Sequence, residues 1–199
     1  MPTTMSRSRL PQTASQTVGP FFHFGMIEEG DENNLVNEAG QGERIVVRGR
    51  VLDGEGEAVP DALIEIWQAD ANGFYNHPDD PHHENADPNF RGFGRSDTQS
   101  GGQFSFRTIK PGRVPFDSRR FQAPHISVRV FSRGLLTHTY TRFYFSDEEE
   151  ANASDTILNI VEPERRHTLI LQRRESSDGA VYVLDIKLQG HDETVFLDP

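Results

Sequence analysis

The sequence predicts an all-β fold, a single β-sandwich domain that follows an N-terminal arm and carries one short helical insertion. Three observations predict it. From Ile45 onward the chain is a series of short β-type runs separated by glycine turns. The 14 Phe and 12 Pro place large rings between frequent turns. The length of 199 residues suits one domain and is enough to bury a sizeable core. The hydrophobic fraction of 34% is modest, yet the large rings are many, and part of their apolar surface is expected to be shared with a partner.

Residues 1–42 are mixed in texture: a Ser/Thr/Gln/Pro opening, an aromatic knot of Phe21, Phe22, His23 and Phe24, then a polar run over 28–34. They read as an arm lying against a partner, with the sandwich domain spanning 43–199. A strand over 45–52 leads into Asp53-Gly54-Glu55-Gly56, a hairpin signal. Over 62–68, Leu63, Glu65 and Trp67 share one side while Ile64 and Ile66 share the other. Both sides carry apolar groups, which predicts a central strand. The stretch 76–89 holds His77, His82 and His83 among acids and prolines without periodicity, and is expected to be a long surface loop. Further strands are expected over 104–109, 125–132 and 137–145. Ser146 with Glu149 three residues on has the form of a capping box, which predicts a helix over 147–153 and a second helical piece around 156–160. Strands over 167–173 and 181–189, around a turn at Ser177-Asp178-Gly179, close the chain.

With 20 Lys+Arg against 31 Asp+Glu the net charge is −11, which argues against nucleic acid and against an anionic membrane as partners. No apolar run approaches the length of a bilayer span, and the first ten residues have arginines with no apolar stretch behind them. A soluble, cytoplasmic protein is expected. The absence of cysteine removes disulfides, thiolate ligands and cysteine nucleophiles, so any metal or covalent chemistry must use His, Tyr, Asp, Glu, Ser or Lys. Neither a nucleophile elbow, a phosphate loop nor a dinucleotide fingerprint is present.

Period-2 geometry makes a definite statement at His125. Ile126, Val128 and Val130 share a face suited to a core, while His125, Ser127, Arg129 and Phe131 share the other. A His-x-His there would offer two imidazoles to one metal, but the second position is Ser127, and a lone histidine reads as one hydrogen-bonded at an interface. The trio His77, His82 and His83 with Glu84 could meet a divalent ion, although its spacing matches no metal signature. The acidic run 147–150 reads as a solvated helix start.

Five ordered strings add a resemblance. They are Ser15-Gln16-Thr17-Val18-Gly19-Pro20-Phe21, Trp67-Gln68-Ala69-Asp70-Ala71-Asn72-Gly73, the run from Asp87-Pro88-Asn89-Phe90 to Arg95, Phe106-Arg107-Thr108-Ile109-Lys110-Pro111-Gly112, and Ala123-Pro124-His125-Ile126. Over about 13–196 the chain resembles the intradiol ring-cleaving dioxygenases, and within them the alpha-type chains that pair with catalytic beta-type chains. The resemblance implies a β-sandwich, a non-haem ferric iron held by two tyrosines and two histidines, and cleavage of protocatechuate by O2 to 3-carboxy-cis,cis-muconate in aromatic catabolism. In catalytic chains one tyrosine precedes Asp-Pro-Asn-Phe by five residues, where this sequence has His82. The second follows the Lys-Pro-Gly turn by two, where Val114 stands, and the His-x-His is His125-Ile126-Ser127. An arginine of the catalytic chains is replaced by Gln122. Two phenolates are the hard anions that stabilise Fe(III), so a chain without them and with one imidazole fewer is expected to hold no iron and no catalytic residue. The Fe3+ is then the partner beta subunit's.

By the same resemblance Thr17, Gly19, Pro20 and Arg133 approach the partner's active site and bind substrate. Proline fixes φ and glycine admits close backbone, which suits Gly19-Pro20 to that place. Protocatechuate is a carboxylate and a charge of −11 opposes it, so a local cation such as Arg133 is needed. Two other readings stay open: an autonomous dioxygenase with a rearranged ligand set from His77, His82, His83 and His125, although Tyr75, Tyr140, Tyr144 and Tyr182 stand away from the family's tyrosine positions, and a non-catalytic β-sandwich with a binding or structural role.

Overall fold

The computed structural model describes residues 12–27, 32–177 and 179–198; the opening residues, part of the polar run over 28–34, and Asp178 of the closing turn lie outside the described residues. Strands β1 (Arg44–Leu52) and β4 (Gln103–Ile109) run antiparallel, and β10 (Gly179–Val183) and then β11 (Ile186–Lys187) lie parallel on the other side of β1. Strand β9 (Ile170–Ser176) pairs β10 and completes the first layer. The second layer has the order β3 (Phe93–Asp97), β2 (Leu63–Gln68), β7 (His125–Phe131), β8 (Thr139–Phe145), all antiparallel. A short parallel contact of Tyr144 and Phe145 with Ile170 and Leu171 joins the layers, and β5 (Val114–Pro115) and β6 (Phe121–Gln122) form a separate hairpin. Helix α1 (Glu149–Ser154) follows β8.

Alternation decides which faces meet. Val47, Phe104 and Phe106 from the first layer and Ile64, Ile66, Ile126, Val128, Val130 and Phe143 from the second form one buried cluster. Leu35 joins it, and Asn34 bridges Arg107, so part of the arm region packs into the sandwich. A smaller cluster of Ala123, Tyr144, Ala151, Leu158, Val161 and Leu169 seats the helical insertion. No helix among the described residues is long and apolar enough to cross a membrane.

The hairpin after β1 forms, with the Asp53 amide donating to the Glu57 carbonyl at 2.9 Å and Leu52 bridging Ala58 antiparallel. Apolar on both sides, β2 is a central strand between β3 and β7. Three local expectations change. The region 167–173 opens as a 3-10 helix, Pro163–Leu169, whose Thr168 hydroxyl donates to the Arg165 carbonyl at 2.8 Å, and the strand begins only at Ile170. The region 181–189 splits, because the Asp185 carboxylate accepts the Arg50 amide at 2.9 Å and its guanidinium at 2.7 Å. The capping box does not form: Ser146 Oγ accepts the Arg173 amide at 3.1 Å, and α1 starts at Glu149 with no side-chain cap.

The acidic run is a solvated helix start only in its second half, where Glu149 and Glu150 are exposed in the first turn of α1. Asp147 Oδ2 accepts from Lys110 Nζ, Arg173 Nη1 and the Tyr182 hydroxyl, each at 2.9 Å, and Glu148 pairs with Lys110 at 2.6 Å. Burial works against the Asp147 charge, but these donors outweigh it and bring the pKa down to about 2. A depressed carboxyl pKa contributes stability above the unfolded value near 4, and that contribution is lost as pH falls toward about 2. Screened by solvent, Asp147→Asn is therefore expected to cost about 1 kcal/mol at pH 7 and to flatten the fall in stability between pH 4 and 2, read by urea unfolding. Equal stabilities of the two proteins across that range would contradict this account.

Candidate functional site

The Trp67-Gln68-Ala69-Asp70 string sets the loops above the second layer. Gln68 leaves β2 with its amide donating to the Ile109 carbonyl at 3.0 Å and its Oε1 accepting the Thr108 hydroxyl at 2.8 Å. Buried Asp70 accepts the amides of Asn72, Phe74 and Asp87 at 2.9, 3.0 and 2.7 Å. Gly73, at φ +87°, lies so close to Arg113 that a Cβ there would stand 1.9 Å from its carbonyl oxygen. The carboxylate thus folds the loop after β2 on itself, while the Asp70 carbonyl, which accepts the Gly112 amide at 2.9 Å, and Gly73 hold that loop against the segment after β4.

Beneath these loops lies a cavity of about 550 Å³ whose walls include Trp67, Tyr75, His77, His82, Val114 and Gln122. A second, of about 500 Å³, shares Trp67 and His77 and reaches Phe93, Ser127, Arg129 and Tyr140. Two positions named from the resemblance, His82 and Val114, therefore meet in one cavity, and Ser127 lines the next. His125 is 1% exposed, with Nδ1 2.8 Å from the Ala123 carbonyl. Burial, helped by the Arg142 charge, pushes its pKa down to about 4, so its ring is neutral at neutral pH.

The three loop histidines do not converge. His77 stands edge-on to Trp67 at 5.9 Å, His82 lies against Phe74 at 5.8 Å, and His83 Nδ1 is 3.0 Å from the Asp80 carbonyl. Among the described residues no group of three or more His, Asp or Glu is placed to hold a metal ion.

What occupies the neighbourhood instead is Arg142, directly opposite Ser127 in the β7–β8 register. Its Nη1 donates to Gln122 Oε1 at 2.7 Å and its Nε to the Tyr140 hydroxyl at 3.2 Å, while Ser127 Oγ lies 3.1 Å from that hydroxyl. Tyr75 is held protonated, since burial pushes its pKa up to about 12 against the nearby Arg142 charge. A guanidinium, a valine, a serine and neutral rings do not fit a ferric ion, which needs anionic donors and repels a cation. Sequence reasoning missed Arg142. The alternation of Tyr140, Arg142 and Tyr144 along β8 was the signal that could have found it.

At the arm, Thr17 Oγ1 accepts the Gly134 amide at 2.7 Å, which brings the arm to the turn that carries Arg133. Arg133 Nε lies 3.1 Å from Asp61 Oδ2, with the arginine side chain 61% exposed and the aspartate side chain 9%. Gly19 and Pro20 follow on the exposed arm, where the Gly19 carbonyl accepts the Phe22 amide at 3.1 Å. Phe22 packs on Phe131 at 5.7 Å, while Phe21 and Phe24 stack on each other at 6.1 Å and face outward.

The two-layer sandwich and the loops over β2, β7 and β8 define a dioxygenase-type chain, and the chain belongs to that family: the Dioxygenase_C family model, described as dioxygenase, matches residues 17–190. It is 43% identical over 200 residues to the protocatechuate 3,4-dioxygenase alpha chain of Pseudomonas putida, covering 95% of this chain and 97% of that one. It is 35% identical to the protocatechuate 3,4-dioxygenase beta chain of Burkholderia cepacia, over 92% of this chain and 78% of that one. In three dimensions it is similar to the dioxygenase domain of a dioxygenase carbohydrate-binding protein fusion from Streptomyces sp. SirexAA-E, with a TM-score of 0.62 and 25% identity over 79% of this chain and 87% of that one.

Proposed function

We propose that this chain is the non-iron-binding, alpha-type subunit of a protocatechuate 3,4-dioxygenase of the cytoplasm. Ferric iron and the ring-cleaving chemistry belong to a partner beta subunit, which with O2 converts protocatechuate to 3-carboxy-cis,cis-muconate. The observation that carries this reading is the replaced ligand set: His82, Val114 and Ser127 stand where donors are needed, with the Arg142 guanidinium beside Ser127. Similarity to an alpha chain over nearly the whole length supports it.

In this reading the chain's own residues bind and wall. Arg133, held by Asp61, offers its outer N–H groups to the substrate carboxylate, and the segment Thr17, Gly19, Pro20 lies beside it to close the partner's pocket to water. The outward pair Phe21 and Phe24 supplies apolar surface for the partner on an otherwise acidic chain. Purified alone, the chain is expected to cleave no protocatechuate, and mixed with a beta-type chain to co-elute with it and raise O2-dependent turnover above that of either alone. A chain that neither associates with the beta type nor raises turnover is a free-standing β-sandwich with a binding or structural role, and the proposal is then wrong.

A further inference from the structure

Alternation along the first layer turns Ile45, Val47, Phe106 and Tyr182 into the core, and so sends Arg44, Val46, Arg48, Arg107, Val181 and Arg174 to the outer face. Arg107, Val46, Val181 and Arg174 lie in one row across β4, β1, β10 and β9, and Arg44 and Arg48 stand two residues to either side of Val46. With strands about 4.8 Å apart and a rise of about 3.4 Å per residue, four arginines frame the two valines in a patch roughly 14 Å across. The patch lies on the opposite side of the sandwich from the arm, which packs through Phe22 on Phe131 of the second layer.

Its charge is uncompensated within the chain. Arg48, Arg107 and Arg174 are exposed, and their side chains make no hydrogen bond or ion pair among the described residues. Arg44 Nη2 donates only to carbonyls, those of Asn37 at 2.9 Å and Glu38 at 3.4 Å, which satisfy N–H groups and leave the charge bare. Arg50, next in the outward series of β1, is the contrast, since Asp185 meets it at 2.7 Å. No outward position on β1, β4, β9 or β10 is acidic, in a chain with 31 acidic side chains against 20 basic ones. Exposed charges are screened beyond about 8 Å at physiological ionic strength, so a partner's surface here meets the patch and not the net charge of −11.

We propose that this face docks an acidic protein segment in extended conformation, its carboxylates at alternate positions on Arg44 and Arg48, an aliphatic side chain between them on Val46, and flanking acids on Arg107 and Arg174. Side chains on one face of an extended segment repeat every second residue, about 6.8 Å, which is also the spacing of Arg44, Val46 and Arg48. Guanidinium pairs with carboxylate through two parallel hydrogen bonds, and the valines favour an apolar neighbour that a compact phosphate lacks. No outward side chain on these four strands is aromatic, so a nucleic-acid base has nothing to stack on. This docking does not depend on the subunit role proposed above, and it leaves the arm open.

The test uses the full chain without a partner and without turnover, so its failure leaves the subunit reading untouched. The chain is titrated into a fluorescein-labelled peptide that repeats Glu-Ser-Val-Ser-Glu, and anisotropy reads binding. Saturable binding is expected, at least about tenfold weaker in about 0.5 M than in about 0.05 M salt, and lost when Lys replaces Glu in the peptide. Arg48→Glu and Arg174→Glu are each expected to weaken the peptide at least about tenfold, while Arg119→Glu, a reversal at an exposed arginine between β5 and β6, leaves it unchanged. Both face positions are exposed and unbonded, so either variant decides the matter if the other fails to fold. Pyrophosphate or oligothymidylate binding as tightly as the peptide would assign the face to a compact anion or to nucleic acid, and self-association through Arg48 in sedimentation would assign it to a second copy. Each of these overturns the proposal, as does absence of saturation or an affinity unchanged in both variants.

Discussion

Arg133→Ala in the assembled enzyme is expected to raise KM for protocatechuate about ten- to a hundredfold, with iron content unchanged. The substrate is an anion and the chain carries −11, so the long-range field opposes binding and the attraction must come from a cation placed close to the carboxylate. A charge-assisted contact from guanidinium to carboxylate is worth about 1.5–3 kcal/mol, which is one to two decades in binding. Arg133 pairs at 3.1 Å with Asp61, which is 8% exposed and whose carboxylate oxygens make no hydrogen bond among the described residues, and Thr17 clasps the amide of the next residue, Gly134. Asp61→Asn releases that anchor while keeping the guanidinium, so its expected effect is a smaller rise in KM with kcat retained. An unchanged KM in Arg133→Ala assigns this arginine to packing or to the subunit interface.

Gly49→Ala is expected to destabilise the chain by about 3–5 kcal/mol or to prevent folding. Gly49 lies in the middle of β1, where a Cβ would stand 1.8 Å from the Leu184 carbonyl oxygen and 2.9 Å from Phe104 Cζ. The cause is the break between β10 and β11. The chain crosses over β1 at Leu184, whose amide donates to the Arg48 carbonyl at 3.2 Å, and only a residue without a side chain lets backbone meet backbone there. Phe104 belongs to the main core and Leu184 packs against it, so neither can retreat cheaply. Thermal and urea unfolding measure the loss, and a variant within about 0.5 kcal/mol of the parent would show that β1 can shift without cost.

Most of the sandwich was legible because it rests on local alternation. The strand over 45–52, the two-sided apolar run of β2, the opposite faces of Ile126 and Ser127 on β7, and the non-periodic loop with its three histidines all follow from neighbours within a few residues. The expectations that failed depended on distant partners. Ser146 and Glu149 have the local form of a capping box, but Arg173 claims the serine, and Lys110, Arg173 and Tyr182 claim Asp147. No local pattern announces three donors from three other strands or loops.

The candidate site divides the same way. The replacements His82, Val114 and Ser127 are visible one by one, yet that His82 and Val114 share a cavity follows only from the Asp70 carbonyl–Gly112 amide bond and the Gly73–Arg113 approach that hold the two segments together. Arg142 was hidden because its meaning comes from the register with Ser127, and register is a property of the paired strands.

The most direct test of the central claim is the iron content and visible spectrum of the chain purified alone. Ferric iron held by tyrosinates absorbs strongly in the visible. A chain whose ligand positions hold His82, Val114 and Ser127 beside the Arg142 guanidinium is expected to be colourless and free of iron even after incubation with ferrous salt and air. A stoichiometry of about one tightly held iron per chain would contradict the account, and His82 and His125 would then have to be counted as ligands.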